Sequence, residues 1–321
     1  MLIRRRLALA GAGAALAAPA LRAQGRYPVQ TVTLVTHSSP GGGSDVFLRE
    51  LIRHLQPVMG VNFAVENVRG GSGATAVARV ARSRPDGGMF YATTPTYIQT
   101  TLLSRPEFGF DTLDPLSVVF LDPEVVYTRK ESPFNTLAEA MAAAKANPGR
   151  QKWGAANPAS LERIALERLN RLTGARAAVV PHEGGGDLMI NVLNGTLDLG
   201  IGEVQEIRAQ LDADRVKLLG VLTETRLADF PNLATAREQD IDLVVTKFRG
   251  LAGPKGMPDE IAAQWATALA TVLESPAYKA VFTKESLVAT PQLLPRPAAR
   301  AFTTEIANDI AGSLRELGVA R

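Results

Sequence analysis

The sequence predicts an α/β fold that is divided into two domains. Strands, glycine-rich loops and helices follow one another in a repeated order, which is typical of parallel sheets covered by helices. The length of 321 residues is enough for about two hydrophobic cores of ordinary size. The alternation starts again after residue 128, so we expect a second domain from that point.

The first half of the chain alternates β-branched runs with glycine loops. Apolar residues at helical spacing follow the first loop and predict a helix there. The predicted elements are, in order, a strand at 30–36, a glycine loop at 37–45, this helix, a strand at 61–65, a glycine loop at 67–73, a helix ending near Arg82, a strand at 90–93 and a β-forming run at 118–128.

The second half repeats this order and then becomes helical. Its predicted strands lie at 152–155, 177–180, 197–201 and 216–222, with an extended run at 243–251 and a short strand near 287–290. Its predicted helices lie at 137–146, 158–173, from 187 through 193, and at 259–274, 276–282 and 298–317. Because the last three helices have almost no strands of their own, we expect them to return to the first sheet.

That return implies two crossovers between the domains, near 125–128 and near 246–250. The predicted boundaries are 1–23 for an export segment, 24–126 plus 249–321 for the first lobe, and 127–248 for the second lobe.

Residues 1–23 have the pattern of a secretory signal peptide. A head with three consecutive arginines precedes an apolar run at 7–18, which is shorter than the ~20 residues that span a bilayer. The arginines resemble a twin-arginine signal, and cleavage is expected after Ala23. The whole chain has a net charge of +3, and this segment alone carries +4. The rest of the chain therefore carries −1, which gives no sign of nucleic-acid binding. We therefore expect the mature protein to lie outside the cytoplasm.

Glycine loops before helices are candidate anion sites. A helix N-terminus offers unpaired N–H groups and partial positive charge, and glycine lets the backbone approach a ligand closely. Loops 37–45 and 182–187 each contain three consecutive glycines, and Asp45 and Asp187 are the expected N-caps.

Two further loops have a similar design. Asn157 and Pro158 are the expected cap and first residue of a helix, and loop 67–73 precedes another helix. Two such loops in each half could face each other across a cleft and hold an anion. Turns of this kind also form for steric reasons alone, so both interpretations stay open at this stage.

The composition argues against metal and thiol chemistry. The chain has no cysteine and three histidines, so neither a metal site nor a cofactor is expected. Residues 71–76 fit the GxGxxA pattern of dinucleotide loops, but the acidic residue expected after the next strand is missing.

An exported hydrolase is the main alternative function. Ser72 lies in GGSGA, which differs from the GxSxG pattern at its last position. Ser44 or Ser72 could be paired with His37 or His182, but no pattern orients such a pair and no paired carboxylates stand out. A binding protein is therefore favoured over an enzyme, with the Ser44–His37 hydrolase and an interaction module with an empty cleft as alternatives.

Five segments in order carry a resemblance to a known family. They are RYPVQTVTLVTHSSPGGGSD, VENVRGGSGATAVARVARSRPDG, LAEAMAAAKANPGRQKWGAANPAS, VVPHEGGGDLMINVLNGTLDLGIGE and KFRGLAGPKGMPDEI. The chain resembles, over 26–321, the extracytoplasmic solute receptors of tripartite tricarboxylate transporters, the TctC/Bug family.

The resemblance implies a two-lobed, type II-like periplasmic binding protein of the Venus-flytrap kind that delivers a small mono- or dicarboxylate to a membrane permease. It also implies a ligand held mainly by backbone N–H groups, and we expect a monomer. The implied ligand-binding residues are Ser39, Gly41, Gly42, Gly43, Ser44, Asp45, Ala155, Asn157, Ser160, Gly184, Gly185 and Glu203. Further candidates are His37, Thr94 and Tyr97 in a loop at 93–97, His182 and Arg249.

Overall fold

The computed structural model describes residues 27–316 and 318, and these residues form two β-sheets with helices on both faces of each. The predicted export segment 1–23 lies outside the described residues. No helix in the described part of the chain combines the length and the apolar character needed to cross a membrane.

The strands are β1 (Thr31–Thr36), β2 (Asn62–Asn67), β3 (Met89–Thr93), β4 (Leu113–Leu121), β5 (Glu124–Arg129), β6 (Lys152–Ala155), β7 (Ala178–Pro181), β8 (Leu199–Glu203), β9 (Val216–Val221), β10 (Phe248–Pro254) and β11 (Val288–Ala289). The helices are α1 (Gly43–Met59), α2 (Ala74–Ala81), α3 (Pro95–Ser104), α4 (Leu137–Ala146), α5 (Leu161–Thr173), α6 (Gly185–Leu193), α7 (Val204–Asp212), α8 (Asp259–Glu274), α9 (Pro276–Lys284) and α10 (Arg296–Glu316).

The first lobe is built on a sheet with the strand order β11-β4-β10-β3-β1-β2. Strand β1 is parallel to β2 and β3, whereas β10 is antiparallel to β3 and β4. One face is covered by α1, α8 and α9 around the fully buried Trp265, and the other by α2, α3 and α10. The C-terminal helices therefore return to the first sheet.

The second lobe is built on a sheet with the order β7-β6-β8-β5-β9. Strand β6 is parallel to β7 and β8, whereas β5 is antiparallel to both β8 and β9. Helices α4 and α5 cover one face and α6 and α7 the other. Both sheets are thus mixed rather than purely parallel, because strands β5 and β10, which follow the crossovers, run against their neighbours.

The chain crosses between the lobes at two adjacent points. The β-forming run 118–128 is split into β4 and β5 by Asp122 and Pro123, since proline cannot donate a hydrogen bond to a sheet. The chain returns just before β10, and the Asp122 N–H donates to the Lys247 carbonyl at 3.0 Å. This hydrogen bond ties the two crossing segments together.

Residues 93–97 do not form the expected loop. Thr93 ends β3, and Thr94 caps α3 by accepting a hydrogen bond from the Thr96 N–H at 3.2 Å. Pro95 occupies the first helical turn, where its missing N–H costs nothing.

Helix α10 is attached to β4 by a buried carboxylate. Asp114 accepts two hydrogen bonds from the half-exposed Arg300, at 2.6 and 2.7 Å, and one from the buried Arg296 at 3.3 Å. Arg296 also donates to the Met257 carbonyl and contacts Asp259 at the start of α8. Asp114 therefore links the last helix to the strand that precedes the first crossover.

We predict that Asp114→Ala and Arg300→Ala differ in their effect on stability. Removing Asp114 should lower the free energy of unfolding by about 2 kcal/mol, because the buried Arg296 loses a charged partner. Removing the exposed Arg300 should cost at most about 1 kcal/mol. Urea unfolding of both variants measures this difference, and equal losses would contradict it.

Candidate functional site

The glycine loops of the two lobes face each other at contact distance. A Cβ atom added to Gly184 would collide with Ser39, and one added to Gly186 would lie 2.5 Å from the Pro40 carbonyl oxygen. A Cβ atom on Gly42 would lie 3.4 Å from the Gly185 nitrogen. The absence of side chains at these glycines is therefore what lets the two loops approach so closely.

Asp45, in the first turn of helix α1, stabilises the glycine loop at 37–45 through hydrogen bonds. Gly42 is the N-cap of α1, and Asp45 lies in its first turn, so Asp45 is not the N-cap that the sequence predicted. Its carboxylate accepts from Arg49, from the Gly41 N–H and from Asn67, at 2.9 to 3.0 Å. Burial alone would raise the pKa of Asp45, but these hydrogen bonds lower it below its ordinary value.

The N-terminus of α5 also differs from the prediction. Ser160 is the cap, because its Oγ accepts from the Arg163 N–H at 3.1 Å, and Asn157 and Pro158 precede the helix. Asn157 is 5% exposed, and its Oδ1 finds no hydrogen-bond partner in the described part of the chain. Ala155 ends strand β6 beside this turn.

Two further contacts cross the cleft between the lobes. Ser72 adopts a left-handed conformation with φ of 52°, and its Oγ accepts from the Ala159 N–H at 3.2 Å. Arg69 forms an ion pair with Asp187 in the first turn of α6. Because Gly184 is the N-cap of α6, Asp187 is not the cap that we expected.

Lys247 lies at the centre of a cluster of buried carboxyl groups in the cleft. Its ammonium group is 2.9 Å from Glu124 Oε1 and also contacts Glu162 and Glu203. These three carboxylates are close enough to hold a metal ion, but the ammonium group of Lys247 contacts all of them and supplies the positive charge. Burial alone would lower the pKa of Lys247, but the three carboxylates outweigh it and raise the pKa well above its ordinary value.

Arg249 connects this cluster to the start of α1. Its guanidinium lies 2.7 Å from Asp122 Oδ2 and 2.8 Å from Glu203 Oε1, and it donates to Ser44 Oγ at 2.7 Å. Glu203 comes from β8 of the second lobe, yet a Cβ atom added to Gly43 would collide with its carboxylate. The Glu203 carboxylate thus lies at the N-terminus of α1 across the cleft, where it complements the helix dipole.

Glu203 and Glu206 are neighbouring carboxyl groups in opposite protonation states. Burial alone would raise the pKa of Glu203, but the charges of Arg249 and Lys247 outweigh it and bring the pKa well below its ordinary value. Burial and the charge of Glu203 raise the pKa of Glu206 well above its ordinary value. Glu206 therefore keeps its proton and can share it with the ionised Glu203.

Two other carboxyl groups of the cluster also resist ionisation. Burial raises the pKa of Asp122 to about 6 despite the opposing charge of Arg249. Burial raises the pKa of Glu124 well above its ordinary value. The expectation that no paired carboxylates stand out was therefore wrong, since the fold gathers five carboxyl groups around two cations.

His37 and Ser44 have separate partners. His37 Nδ1 lies 2.6 Å from the Tyr91 hydroxyl, while Ser44 Oγ accepts from Arg249. Burial and the nearby charge of Arg249 lower the pKa of His37 to about 4, and burial raises the pKa of Tyr91 well above its ordinary value. The phenol and the neutral imidazole therefore share a hydrogen bond. The contacts do not assemble the Ser44–His37 pair that a hydrolase would need.

A cavity of about 20 Å³, enough for roughly one water molecule, lies between the lobes. The predicted residues that line it are His37, Gly43, Ser44, Thr94, Asn157, Gly184, Gly185, Glu203 and Arg249. The predicted residues that do not line it are Ser39, Gly41, Gly42, Asp45, Ala155, Ser160, Tyr97 and His182. Tyr97 packs in the first-lobe core against Tyr91, and His182 Nδ1 lies 3.1 Å from the Val180 carbonyl oxygen.

Sequence reasoning did not single out six residues that line the cavity, although Ser38, Thr96 and Ala156 lie within the predicted loops. They are Ser38, Thr96, Ala156, Glu162, Glu206 and Lys247. Two signals were available. Lys247 and Arg249 are two residues apart in an extended segment and so point to the same side. Glu203 and Glu206 are three residues apart at the start of a helix, a spacing that also brings side chains together.

The comparison with protein families decides the assignment. Residues 47–291 match the family described as "Tripartite tricarboxylate transporter family receptor". The chain belongs to this family. It is a solute-binding protein of the periplasmic TctC/Bug type, and not an enzyme.

Curated relatives and solved structures agree with this assignment. BugT of Bordetella pertussis is 26% identical over 297 residues, which cover 91% of this chain and 90% of BugT. The periplasmic binding protein BugD has a similar fold, with a TM-score of 0.86 and 22% identity over 92% of this chain and 99% of BugD. MatC of Rhodopseudomonas palustris, solved with bound malate, has a TM-score of 0.82 and 23% identity over 90% of this chain and 100% of MatC.

We predict that the same isosteric change lowers stability much more at Glu203 than at Glu206. Glu203→Gln should lower the free energy of unfolding by about 3 kcal/mol, because Lys247 and Arg249 lose the ionised carboxylate between them. Glu206→Gln should stay within about 1 kcal/mol of the wild type, since an amide donates as the protonated acid does. Urea unfolding at neutral pH measures both, and equal losses would show that the two groups do not differ in protonation.

We also predict a pH dependence that belongs to Glu206. The folded protein keeps the Glu206 proton at pH values where the unfolded chain has released it, so this contribution to stability falls as the pH rises. As the pH rises above the ordinary glutamate pKa of 4.5, the wild type should lose stability relative to Glu206→Gln. Unfolding midpoints of both proteins across this range measure the effect, and parallel profiles would refute the assignment.

Proposed function

We propose that this receptor captures a small carboxylated solute between its lobes and delivers it to a tripartite tricarboxylate-type membrane permease. One observation carries the proposal: a carboxylate from the second lobe, that of Glu203, lies against the N-terminus of α1 in the first lobe. The same helix end, with Ser44 and Arg249 beside it, suits the carboxylate of a solute.

The carboxylates of Glu203 and of the solute would occupy the N-terminus of α1 in turn, because Glu203 and this helix end belong to different lobes. Glu203 is at the end of β8 and moves with the second lobe, whereas Gly43, Ser44 and Arg249 belong to the first lobe. When the lobes part, the N-terminus of α1 loses the Glu203 carboxylate and becomes free for the solute carboxylate. Closure then brings the glycine loop at 184–186 over the bound solute, and the solute keeps Glu203 from returning to the N-terminus of α1.

The closed cleft requires such a motion. A cavity of about 20 Å³ is smaller than any dicarboxylate, so a solute can enter only when the lobes separate. The two crossing segments, tied by the hydrogen bond between Asp122 and Lys247, are the natural hinge. Lobes bounded near these segments are therefore part of the proposal. The first boundary then lies at 122–123 rather than near 126, and the first crossover precedes the predicted 125–128, because β5 already belongs to the second sheet from Glu124 onward.

The remaining parts of the proposal rest on the family. Its receptors serve transporters, so a change of shape on closure would present a surface to a permease. MatC, which shares the fold, binds malate, and this supports a small carboxylate as the solute. We propose that the mature receptor acts in the periplasm as a monomer after cleavage near Ala23.

The Gly43→Val variant tests the carboxylate site. The added side chain collides with Arg249 and with Glu203 from the opposite lobe, so it blocks closure while both sheets keep their cores. A carboxylate at about 100 times its Kd should stabilise the wild type by about 2.7 kcal/mol, and the variant should lose most of this gain. Thermal unfolding against a panel of mono- and dicarboxylates measures both.

Gly312→Ala is the matched control for this experiment. Gly312 lies within α10, and an added Cβ atom meets no atom closer than 4.0 Å. This variant should keep the full stabilisation by the same carboxylate. No stabilisation of the wild type by any carboxylate, or full stabilisation of Gly43→Val, would overturn the proposed function.

A further inference from the structure

A second cavity lies between the lobes, behind the segment through which the chain returns to the first lobe. Its volume is about 190 Å³, and the described residues that line it all differ from those that line the cavity in the cleft. Lys247 lines the cleft cavity, whereas the preceding residue, Thr246, lines this one. Because consecutive side chains of an extended segment point to opposite sides, the second cavity lies on the far side of this segment from the cleft. We call it the rear cavity.

Both lobes contribute to the wall of the rear cavity. Helices α3 and α10 supply the first-lobe part, α5 supplies the second-lobe part, and residues 244–246 complete the wall along the crossing segment. Ile164 of α5 packs against the first-lobe core, as does Ile306 of α10. The shape of the rear cavity therefore depends on how the two lobes are placed against each other.

The wall of the rear cavity is mostly apolar. Its branched aliphatic residues are Leu161, Ile164, Val244, Val245, Ile306 and Ile310. The two charged residues of the wall have opposite signs, and Arg168 is half-buried while Asp309 is exposed. An apolar cavity of about 150 Å³ is large enough to bind benzene. The rear cavity therefore suits an uncharged molecule with a single ring.

Gln99 adds one buried polar group to this wall. It is 1% exposed, and its Oε1 finds no hydrogen-bond partner among the residues that the structure describes. A buried amide oxygen normally accepts a hydrogen bond, and aliphatic side chains cannot donate one. A hydroxyl group on the ring would supply the missing donor.

We propose that the rear cavity is a second ligand site, which binds a small uncharged ring compound with a hydroxyl group and thereby favours the closed arrangement of the lobes. The hydroxyl group donates to Gln99, and the ring packs against α5 and α10. Because these helices belong to different lobes, the ligand makes all of its contacts only when the lobes are closed. The site is independent of the carboxylate site, whereas its coupling to closure rests on the motion proposed above.

Phenol and toluene test the chemistry of the site, because they have nearly the same size and differ in one hydroxyl group. Phenol should bind the mature wild-type chain with a Kd of about 1 mM or lower. Gln99→Met removes the amide and keeps the length of the side chain. It should weaken phenol binding about fivefold or more and leave the affinity for toluene within about twofold. Isothermal titration calorimetry measures the four dissociation constants.

The Ser313→Leu variant tests the location of the site. Ser313 lines the rear cavity from α10, so a leucine there should fill part of the space and weaken phenol binding about tenfold or more. Asn308→Leu is the matched control, because Asn308 is exposed on the same helix and is not among the residues that line the cavity. The control should keep the phenol affinity of the wild type within about twofold.

The Gly43→Val variant tests the coupling to closure. Gly43 is not part of the described wall of the rear cavity, but a side chain there collides with Glu203 of the opposite lobe and blocks closure. Gly43→Val should therefore weaken phenol binding about fivefold or more, because the second-lobe part of the wall is displaced. Gly312→Ala, which meets no atom closer than 4.0 Å, should keep the affinity of the wild type.

The outcomes separate the site from its coupling and from the proposed function. No phenol binding by the wild type, or wild-type phenol affinity in Gln99→Met or in Ser313→Leu, would overturn the site. These two variants test it independently, so a failure of either one to fold leaves the other as the test. Wild-type phenol affinity in Gly43→Val would overturn the coupling to closure. None of these results bears on the carboxylate site, which is tested with carboxylates alone.

Discussion

The buried contact of Glu203 with Lys247 and Arg249 is the interaction on which the closed structure depends. Glu203 comes from the second lobe, Arg249 from the first, and Lys247 from the segment that joins them. Charges that are nine-tenths or more buried need partners, because an unpaired charge in such a place costs several kcal/mol. The position of one lobe against the other is therefore coupled to the pairing of these three side chains.

The surrounding carboxyl groups adapt to this contact by keeping protons. Glu206 and Glu124 have raised pKa values because burial penalises their charged forms, whereas Glu203 is ionised because two cations lie against it. The same arrangement brings a carboxylate to the N-terminus of α1 without any small molecule. The electrostatics of the cleft thus connect closure of the lobes with the site proposed for the solute.

Much of the fold could be predicted from the sequence, because its signals are local. Helices α4 and α8 have the predicted bounds, and α4 begins with a capping box formed by Thr136 and Glu139. The split of the run 118–128 into strands of different sheets was not predicted, since residues on both sides of Pro123 are β-forming. The two-lobed organisation followed from the restart of the pattern and from the helices that return to the first sheet.

The candidate site was harder to predict, because its charged residues come from segments that are distant along the chain. Asp122 and Glu124 lie beside the first crossover, Glu162 begins a helix, and Lys247 lies beside the second crossover. Only the fold makes them neighbours, so no local pattern in the sequence reports their contact. The glycine loops were visible, but their side-chain surroundings, which decide what the cleft can bind, were not.

The central position of Lys247 restricts which substitutions this cleft could accept during evolution. One ammonium group contacts three carboxyl groups, so replacing Lys247 or the ionised Glu203 alone leaves its partner with an unpaired buried charge. A descendant with a different solute would have to change at least two of these positions together, or pass through an unstable intermediate. Related receptors should accordingly differ here in compensated sets, and sites of this kind would be expected to co-vary rather than drift one residue at a time.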